Sequence, residues 1–180
     1  MEAIILKKIA TREWDQLVVC YTRDFGKQTY IAKSLSRPTS KQVCHLDVLN
    51  LVDFELVQKN GSSGLTTGSM PIVTSAYSLD NFARLKQSLS ALAVSSYLLE
   101  VFDKFVFDND SDEKLWQFLN SKLAFLDEQA IRGDCDWQKT LNDTQNQTLA
   151  VLGFDRNIDL ESVVGNRFGS LIFAREVLHG

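Results

Sequence analysis

The chain has 180 residues, of which 44% are hydrophobic and 23% are charged, which is typical of a globular protein with a buried core. No run approaches the roughly 18 apolar residues that a membrane span requires. No basic segment precedes the apolar run at the amino terminus, so we expect no secretory signal and a cytoplasmic protein. The formal net charge of -4 at pH 7 by itself argues against a nucleic-acid-binding protein.

The charge is distributed unevenly along the chain. Residues 1–45 contain eight Lys and Arg against four Asp and Glu, a net charge of +4. Residues 81–180 contain ten basic and fifteen acidic residues, a net charge of −5. This asymmetry indicates a polyanion-binding surface on the first part of the chain and a different task for the remainder. A basic, solvated sheet face is the alternative explanation for the positive excess.

Three short apolar runs, rich in β-branched or aromatic residues, open the chain at 3–9, 17–21 and 28–35. Runs of this kind bounded by polar residues predict three consecutive strands. Gly26 can adopt the positive φ of a tight turn between the second and the third strand. The basic, turn-rich connection 36–41 follows, and we expect it to be a flexible, exposed loop suited to contacting phosphates.

Two further strands are predicted after this loop. The alternation over 45–58 predicts one long strand with a bend or bulge near its middle, as closure of a small barrel requires. Asn60 and Gly61 indicate a hairpin turn, and 65–75 predicts the fifth strand. Five short strands of this spacing favour a small barrel, and periodicity alone leaves an OB-type Greek key and an SH3-like barrel as alternatives.

After the fifth strand the hydrophobic period becomes that of a helix. Asp80 is predicted to cap a helix that starts at Asn81. Residues 91–107 are apolar on nearly all sides, which predicts the central helix of a second module. The polar residues 108–112 end this helix, and further helical stripes follow, with Gly153 expected just beyond the end of one helix. We therefore expect a bundle of four or five helices.

No catalytic signature such as H-E-x-x-H, G-x-S-x-G or a Walker motif occurs in the sequence, so we predict no enzyme. The three cysteines include no C-x-x-C pair, so no zinc ribbon is predicted, and Cys20 is expected to be a small buried hydrophobe. Cys44 and His45 are neighbours, which in a strand point to opposite faces and do not converge on one ion. Residues 108–112, DNDSD, lack the glycine and the glutamate of an EF-hand, and we expect a solvated loop.

Five segments, in this order, resemble the amino-terminal region of the bacterial recombination-mediator family RecO: EAIILK, WDQLVVCYTRDFGK, YIAKSLSRPTSK, HLDVLNLVDFELV and YSLDNFARLKQSLSALAVSSYLLEVFDKF. The resemblance is close as far as Lys104 and looser beyond it. It selects the OB type among the barrels and implies an α+β protein of two modules. These are an OB-fold DNA-binding domain over residues 1–78 and a helical domain over residues 79–180.

The resemblance implies a mediator of DNA repair and homologous recombination. RecO proteins bind single- and double-stranded DNA without sequence specificity, anneal complementary strands and help to load recombinase onto DNA coated with single-strand-binding protein (SSB). The expected partners are DNA, RecR and the acidic-hydrophobic carboxyl-terminal tail of SSB. In the family the helical domain holds the pocket for this tail, and Lys122, Arg132 or Arg175 would supply its rim cation.

The chain also departs from the family pattern. Many RecO proteins carry a four-cysteine zinc element after the first helices, and most are longer than this chain. The four cysteines are missing here, so the family's zinc is not carried over and no cofactor is expected.

A non-specific nucleic-acid interface combines cations that follow the phosphate backbone with aromatic faces on which bases stack. The candidate aromatic residues are Trp14, Tyr21, Phe25 and Tyr30. Seven basic residues form the predicted DNA-binding group: Lys8, Arg12, Arg23, Lys27, Lys33, Arg37 and Lys41.

Two other functions stay open: a protein-interaction adaptor of the same fold that does not bind DNA, and a small hydrolase supported only by undistinguished acidic residues.

Overall fold

The computed structural model describes residues 1–11, 13–57, 70–132, 135–154 and 169–179, apart from the side chains of Leu171 and His179. The chain divides into two compact units. The first unit consists of Met1–Asn81 together with Phe107–Asp112, and the second of Phe82–Val106 together with Glu113–Gly180. Within the described ranges, no helix combines the length and the apolar character needed to cross a membrane.

Five strands of the first unit close into a barrel in the order β1-β2-β3-β5-β4, with β4 paired back to β1. The β3–β5 pairing is parallel and the other four are antiparallel. This closed Greek-key order is that of an OB-type barrel, as predicted. The strands are β1 (Glu2–Ala10), β2 (Gln16–Thr22), β3 (Gly26–Ala32), β4 (Leu51–Val57) and β5 (Ile72–Asp80).

The barrel core consists of side chains from alternate strand positions, as the period of a pleated strand requires. The rings of Tyr30 and Phe54 meet edge to face inside it, with centroids 5.4 Å apart. Cys20 is fully buried in this core, which confirms its prediction as a small hydrophobe, and desolvation raises the pKa of its thiol. The strand residues of the core are Ala3, Ile5, Val18, Cys20, Tyr30, Ala32, Val52, Phe54, Val73 and Ala76.

The long strand predicted over 45–58 is wrong in its first half, because β4 begins only at Leu51. The preceding residues form turns, in which the N–H of Leu46 donates to the carbonyl of Gln42 at 2.9 Å. Leu49 has a φ of 76°, which is incompatible with a strand. Leu46 and Leu49 are nevertheless buried. The apolar pattern there therefore comes from turns that place Leu46 and Leu49 in the core, and not from a pleated strand.

Other predicted strand boundaries also shift. The third strand ends at Ala32, and Leu35 reaches the core from the turn beyond it. The fifth strand continues to Asp80, so Asp80 ends a strand and caps no helix. The bend or bulge predicted near the middle of the long strand is present, since the pairing of β4 with β5 shifts register between Leu51 and Val52 and again between Glu55 and Leu56. The predicted hairpin turn at 60–61 lies outside the described residues.

The second unit is helical, which with the barrel confirms the predicted α+β fold class. α2 is the predicted central helix, since it packs against all the other described helices and buries nine of its seventeen residues. The φ of 80° at Gly153, just beyond α4, agrees with its predicted role in ending a helix. The described helices are α1 (Ala83–Gln87), α2 (Leu89–Phe105), α3 (Glu113–Gln129), α4 (Trp137–Val151) and α5 (Gly169–His179).

The chain enters the helical unit in two steps, where the sequence predicted one helix. Phe82 precedes α1 in a left-handed conformation with a φ of 43°. The N–H of Leu85 in α1 donates to Oδ1 of Asp127 in α3 at 2.8 Å. Ser88 is then extended and interrupts the helix, and its Oγ accepts the N–H of Ala91 at 3.3 Å. The residue that caps the central helix is therefore Ser88, which lies between α1 and α2.

A carboxylate joins α2 to the beginning of α5. Oε2 of Glu100 accepts the N–H of Ser170 at 2.9 Å and also its hydroxyl, while Oε1 lies 2.7 Å from Nζ of Lys104. Desolvation raises the pKa of Glu100, but the hydrogen bonds and the charge of Lys104 outweigh it and leave the pKa below its ordinary value. Because the pKa is lower in the folded state, ionised Glu100 stabilises the fold above its unfolded pKa. This contribution is lost as the pH falls through the folded pKa.

Replacing Glu100 with Gln is expected to lower the free energy of unfolding at neutral pH by about 1–2 kcal/mol, because charge-assisted hydrogen bonds become neutral ones. In urea denaturation the difference should shrink as the pH falls below the ordinary carboxyl range, where Glu100 is protonated too. Glu128→Gln is the control, since it disrupts an exposed pair with Arg132 and should change stability less. Equal losses in both variants, or a Glu100 effect independent of pH, would contradict this.

Candidate nucleic-acid interface

Six of the seven predicted DNA-binding residues lie among the described residues, and Arg12 lies outside them. The six divide between the two ends of the β2–β3 hairpin. The turn end is the connection 23–25, and the open end is where β2 begins and β3 finishes, with Gln16 paired to Ala32. The two ends are separated by about 20 Å, at roughly 3.3 Å for each residue of a strand. The structure therefore does not gather the predicted group at one place.

Three predicted cations, Lys33, Arg37 and Lys41, follow β3 at the open end and form what we call the cationic trio. All three side chains are exposed, and none makes an ion pair with a described residue. The main chain between them is folded into turns, in which the N–H of Arg37 donates to Ser34 at 3.2 Å and that of Ser40 to Arg37 at 2.9 Å. The trio therefore presents three positive charges to solvent that no described acid neutralises.

Residues 33–45, which carry the trio, are called the trio segment, and the loop between β1 and β2 fastens its start. The N–H of Ser34 donates to Oδ1 of Asp15 at 2.8 Å, and that of Ser36 to the carbonyl of Trp14 at 3.0 Å. Nε2 of Gln16 donates to the hydroxyl of Ser36 at 2.9 Å. The Trp14 side chain lies in the same loop and is 39% exposed. The open end thus offers cations and an aromatic side chain on two loops that are bonded to each other.

Asn50, which is fully buried, fastens the other end of the trio segment. Its Nδ2 donates to the carbonyls of Cys44 at 2.9 Å and His45 at 2.8 Å. Nε2 of Gln42 also donates to the carbonyl of Thr74 on β5, at 2.8 Å. The segment that the sequence predicted as a flexible loop is therefore hydrogen-bonded on both sides. Such preorganisation reduces the entropy that binding a ligand would otherwise cost.

Lys8 lies on β1 and is already paired with an acid. Its Nζ donates to Oδ1 of Asp47 at 2.9 Å, and the Lys8 side chain is 20% exposed. Its strand partner is the core residue Val18, which places Lys8 on the inner side of the sheet towards the open end. A phosphate at Lys8 would have to compete with the Asp47 carboxylate.

The two cations of the turn end also have acidic neighbours. Nη1 of Arg23 lies 3.4 Å from Oε2 of Glu2 in an exposed pair. Nζ of Lys27 lies 3.3 Å from Oδ1 of Asp108, and the Lys27 side chain is only 14% exposed. The positive charge of this end is therefore balanced in part within the first unit.

A segment from between α2 and α3 lies against the turn end and belongs to the first unit. The N–H of Asn109 donates to the carbonyl of Lys27 at 3.1 Å. The hydroxyl of Tyr21 accepts the N–H of Asp112 at 3.2 Å and lies 3.3 Å from its carbonyl oxygen. The acidic run that the sequence predicted as a solvated loop is therefore docked on β2 and β3 through its main chain.

Two of the four candidate stacking residues are not accessible. Tyr21 is fully buried and Tyr30 is 4% exposed in the barrel core, where desolvation raises the pKa of the Tyr30 phenol. Trp14 at the open end and Phe25 at the turn end, 56% exposed, are accessible. Of these two, Trp14 lies at the same end of the hairpin as the trio, which makes it the candidate stacking residue beside the cations.

Sequence reasoning missed a more exposed aromatic residue, Tyr77, whose side chain is 65% exposed on β5. The signal was hidden because the fifth strand was predicted to end at residue 75, before this position. Tyr77 pairs with Asp53 of β4, so it points outward with that acidic residue. Its ring centroid lies 6.0 Å from that of His45.

Across the described residues, no group of three or more His, Cys, Asp or Glu side chains is arranged to hold a metal ion. Cys44 and His45 lie in a turn, so the strand geometry assumed for them from the sequence is wrong. Nδ1 of His45 lies 2.8 Å from the hydroxyl of Ser78 and accepts its N–H at 3.2 Å. His45 thus ties the trio segment to β5.

The three candidate rim cations of the helical unit differ in their surroundings. Lys122 on α3 is buried, donates from Nζ to Oε1 of Gln147 at 2.8 Å, and lies 5.0 Å from the centroid of the Phe125 ring. Desolvation lowers the pKa of Lys122, and the charge of Asp143 partly offsets this. Arg132 pairs with a glutamate one helical turn away, whereas Arg175 is exposed on α5. Of the three, Lys122 adjoins a partly exposed aromatic side chain.

The strand order of the barrel places this chain in a class of proteins, the OB-fold proteins. Here the exposed trio lies on the barrel, and a helical unit follows it. OB barrels bind oligonucleotides and oligosaccharides through the face of strands 2 and 3 and through the loops between strands 1 and 2 and strands 4 and 5. The open end includes the first of these loops. The loop between β4 and β5 lies mostly outside the described residues.

Comparison with known proteins shows which family within this class the chain resembles. Residues 1–71 match the family model described as "Recombination protein O N terminal". The DNA repair protein RecO of Listeria welshimeri serovar 6b is 24% identical over 173 residues, which cover 96% of this chain and 63% of that protein. The DNA repair protein RecO of Streptococcus pyogenes serotype M49 is 30% identical over 125 residues, which cover 69% of this chain and 46% of that protein. The chain is therefore similar to RecO proteins over most of its length, and it spans less than two thirds of either relative's length.

Proposed function

We propose that this chain is a non-catalytic DNA repair and recombination mediator that binds single- and double-stranded DNA without sequence specificity. The observation that carries this proposal is the cationic trio on an OB-type barrel, exposed beside Trp14 and without an acidic partner among the described residues. Phosphates would be neutralised by the trio, and a base would stack on the indole. The other four members of the predicted group, Lys8, Arg12, Arg23 and Lys27, are proposed as additional contacts. Lys8, Arg23 and Lys27 would contribute only where the acid beside each is displaced or neutralised.

Strand annealing follows from the same chemistry. Cations that contact phosphates leave the base edges free to pair, because contacts to the backbone carry no sequence information. Screening of two phosphate backbones by one protein surface lowers their mutual repulsion and allows complementary strands to meet. The proposed role is therefore to bind and anneal DNA and to help load recombinase onto DNA coated with SSB.

The proposed partners, besides DNA, are RecR and the acidic-hydrophobic tail of SSB, and the proposed location is the bacterial cytoplasm. We propose an OB-fold domain over residues 1–78 as the DNA-binding module and a helical domain over residues 79–180 as the docking module. The pairing of Lys122 with the exposed ring of Phe125 supports a site for a carboxylate next to an apolar side chain on α3.

The experiment that tests DNA binding is fluorescence anisotropy of labelled single-stranded DNA across a salt series. The unsubstituted protein should bind more weakly as salt rises. Changing Lys33, Arg37 and Lys41 to Ala should reduce the slope of log K against log salt by about 2, at roughly 0.7 for each phosphate that the protein no longer neutralises. Thermal unfolding should change little, because the three side chains are exposed.

The control replaces three exposed cations of the helical unit, Lys114, Arg132 and Lys139, with Ala, which changes the net charge equally. This control should retain the slope of the unsubstituted protein. No binding by the unsubstituted protein at low salt, or equal slopes for the trio variant and the unsubstituted protein, would overturn the proposal.

A second candidate function is a protein-interaction adaptor of the same fold that does not bind DNA. The observation that favours it is the acidic partner beside each of Lys8, Arg23 and Lys27, together with the net charge of -4. The salt series separates the two functions, because an adaptor would show no salt-dependent retention of DNA.

A further inference from the structure

The face of strands 2 and 3 is where an OB barrel ordinarily meets a polymeric ligand. In this chain the turn end of that face already carries a stretch of the chain itself. This acidic segment, residues 107–112 (FDNDSD), places carboxylates on alternate residues, at Asp108, Asp110 and Asp112. A nucleic-acid strand is likewise a chain of regularly spaced negative charges.

The acidic segment engages one of the predicted DNA-binding cations directly. Oδ1 of Asp108 lies 3.3 Å from Nζ of Lys27, and only 14% of the Lys27 side chain is exposed. The main chains of these two residues also form a parallel bridge. Nε2 of Gln28, the next residue of β3, donates to Oδ1 of Asn109 at 3.0 Å. The carboxylate is therefore held at the cation by hydrogen bonds that do not depend on its charge.

The segment also lies too close to the hairpin for anything to pass between them. Gly26 is at the first position of β3, and a Cβ built there would lie 2.0 Å from the carbonyl oxygen of Asp110. Real Cβ atoms do not approach backbone atoms so closely. No phosphate or base therefore fits between Gly26 and Asp110, and a phosphate could reach Lys27 only from the side of the Asp108 carboxylate, which is 73% exposed.

We propose that the acidic segment is an internal polyanion that occupies the turn end of the β2–β3 face and confines DNA to the open end. The inference rests on the proposed DNA-binding function and deepens it. In the docked state Lys27 binds the segment, and DNA follows the trio and Trp14. Lys27 becomes available to a phosphate only when the charge of the segment is removed.

The test is anisotropy of labelled single-stranded DNA of several lengths, across a salt series, with Asp108, Asp110 and Asp112 changed to Asn. The isosteric amides keep the main-chain contacts of the segment. We expect tighter binding and a longer minimal DNA for full affinity. The slope of log K against log salt should be steeper by about 0.7, because Lys27 then neutralises one additional phosphate. Adding Lys27→Ala to this variant should return the slope to that of the unsubstituted protein.

The matched control is Glu128→Gln, Asp143→Asn and Glu176→Gln, three exposed acids on α3, α4 and α5, which alters the net charge by the same amount. An equal increase in affinity in the control, or an unchanged slope in the segment variant, would overturn the inference. If thermal unfolding shows that the triple variant is unstable, Asp108→Asn alone gives the same readout at Lys27. Failure of the proposed function gives a different result, because the unsubstituted protein would then not bind DNA even at low salt.

Discussion

Gly26→Ala is expected to destabilise the protein by roughly 3–4 kcal/mol, a large effect for one methyl group. Gly26 has a φ of 66°, a conformation that costs other residues about 1 kcal/mol or more. The added Cβ would also lie 2.0 Å from the carbonyl oxygen of Asp110, which is backbone and cannot rotate away. The hairpin and the acidic segment must therefore separate. Urea denaturation followed by circular dichroism measures the loss of stability.

The chain contains a matched control for this prediction. Gly153 has a φ of 80°, and apart from its chain neighbours no atom of the described residues lies within 4 Å of the position where a Cβ would lie. Gly153→Ala therefore reports the cost of the left-handed conformation alone, about 1 kcal/mol. A destabilisation at Gly26 no larger than that at Gly153 would show that the close approach to Asp110 is unimportant.

Asn50→Ala is expected to lower the free energy of unfolding by about 3 kcal/mol, because two partly buried carbonyl groups lose their donor. These are the carbonyls of Cys44 and His45, and Asn50 itself is fully buried. The turns that carry the trio should loosen. DNA affinity should consequently fall several-fold, through the added cost of ordering the loop. The salt slope should stay unchanged, because the variant retains every cation.

Two variants make this prediction specific. Asn50→Asp keeps the shape of the side chain but cannot donate to the carbonyls, so it should be at least as destabilising as the alanine. Asn142→Ala changes an exposed asparagine on α4 and should have little effect on stability. A reduced salt slope in Asn50→Ala would mean that the substitution removes a phosphate contact and does not act through the position of the trio.

The strongest local patterns were predicted correctly from the sequence. The first two strands agree with the structure to within a residue at each end, and Gly26 has the positive φ that was expected of the turn. The nearly all-round apolar stretch is the central helix, because such a helix is stable only when other helices surround it. The family resemblance, confirmed by comparison, selected the OB barrel where periodicity left two barrels open.

The errors share a physical cause, which is that short apolar patterns do not distinguish a strand from turns that bury some of their apolar residues. Leu46 and Leu49 are buried in turns fastened by the Asn50 side chain, a contact that no local propensity encodes. The sequence favours Asp80 as a helix cap because aspartate suits that role locally. Pairing with β4 instead extends β5 as far as Asp80, which is a tertiary effect.

The sequence by itself determined the class of the fold, the central helix and the concentration of positive charge in the first strands, since each depends on composition or on a local period. Tertiary structure alone decided which of those charges remain available. It divided the six described cations between the ends of a hairpin, left the trio exposed and set Asp108 against Lys27. These pairings join positions that are far apart along the chain, and a one-dimensional charge pattern carries no information on which distant acid meets which cation.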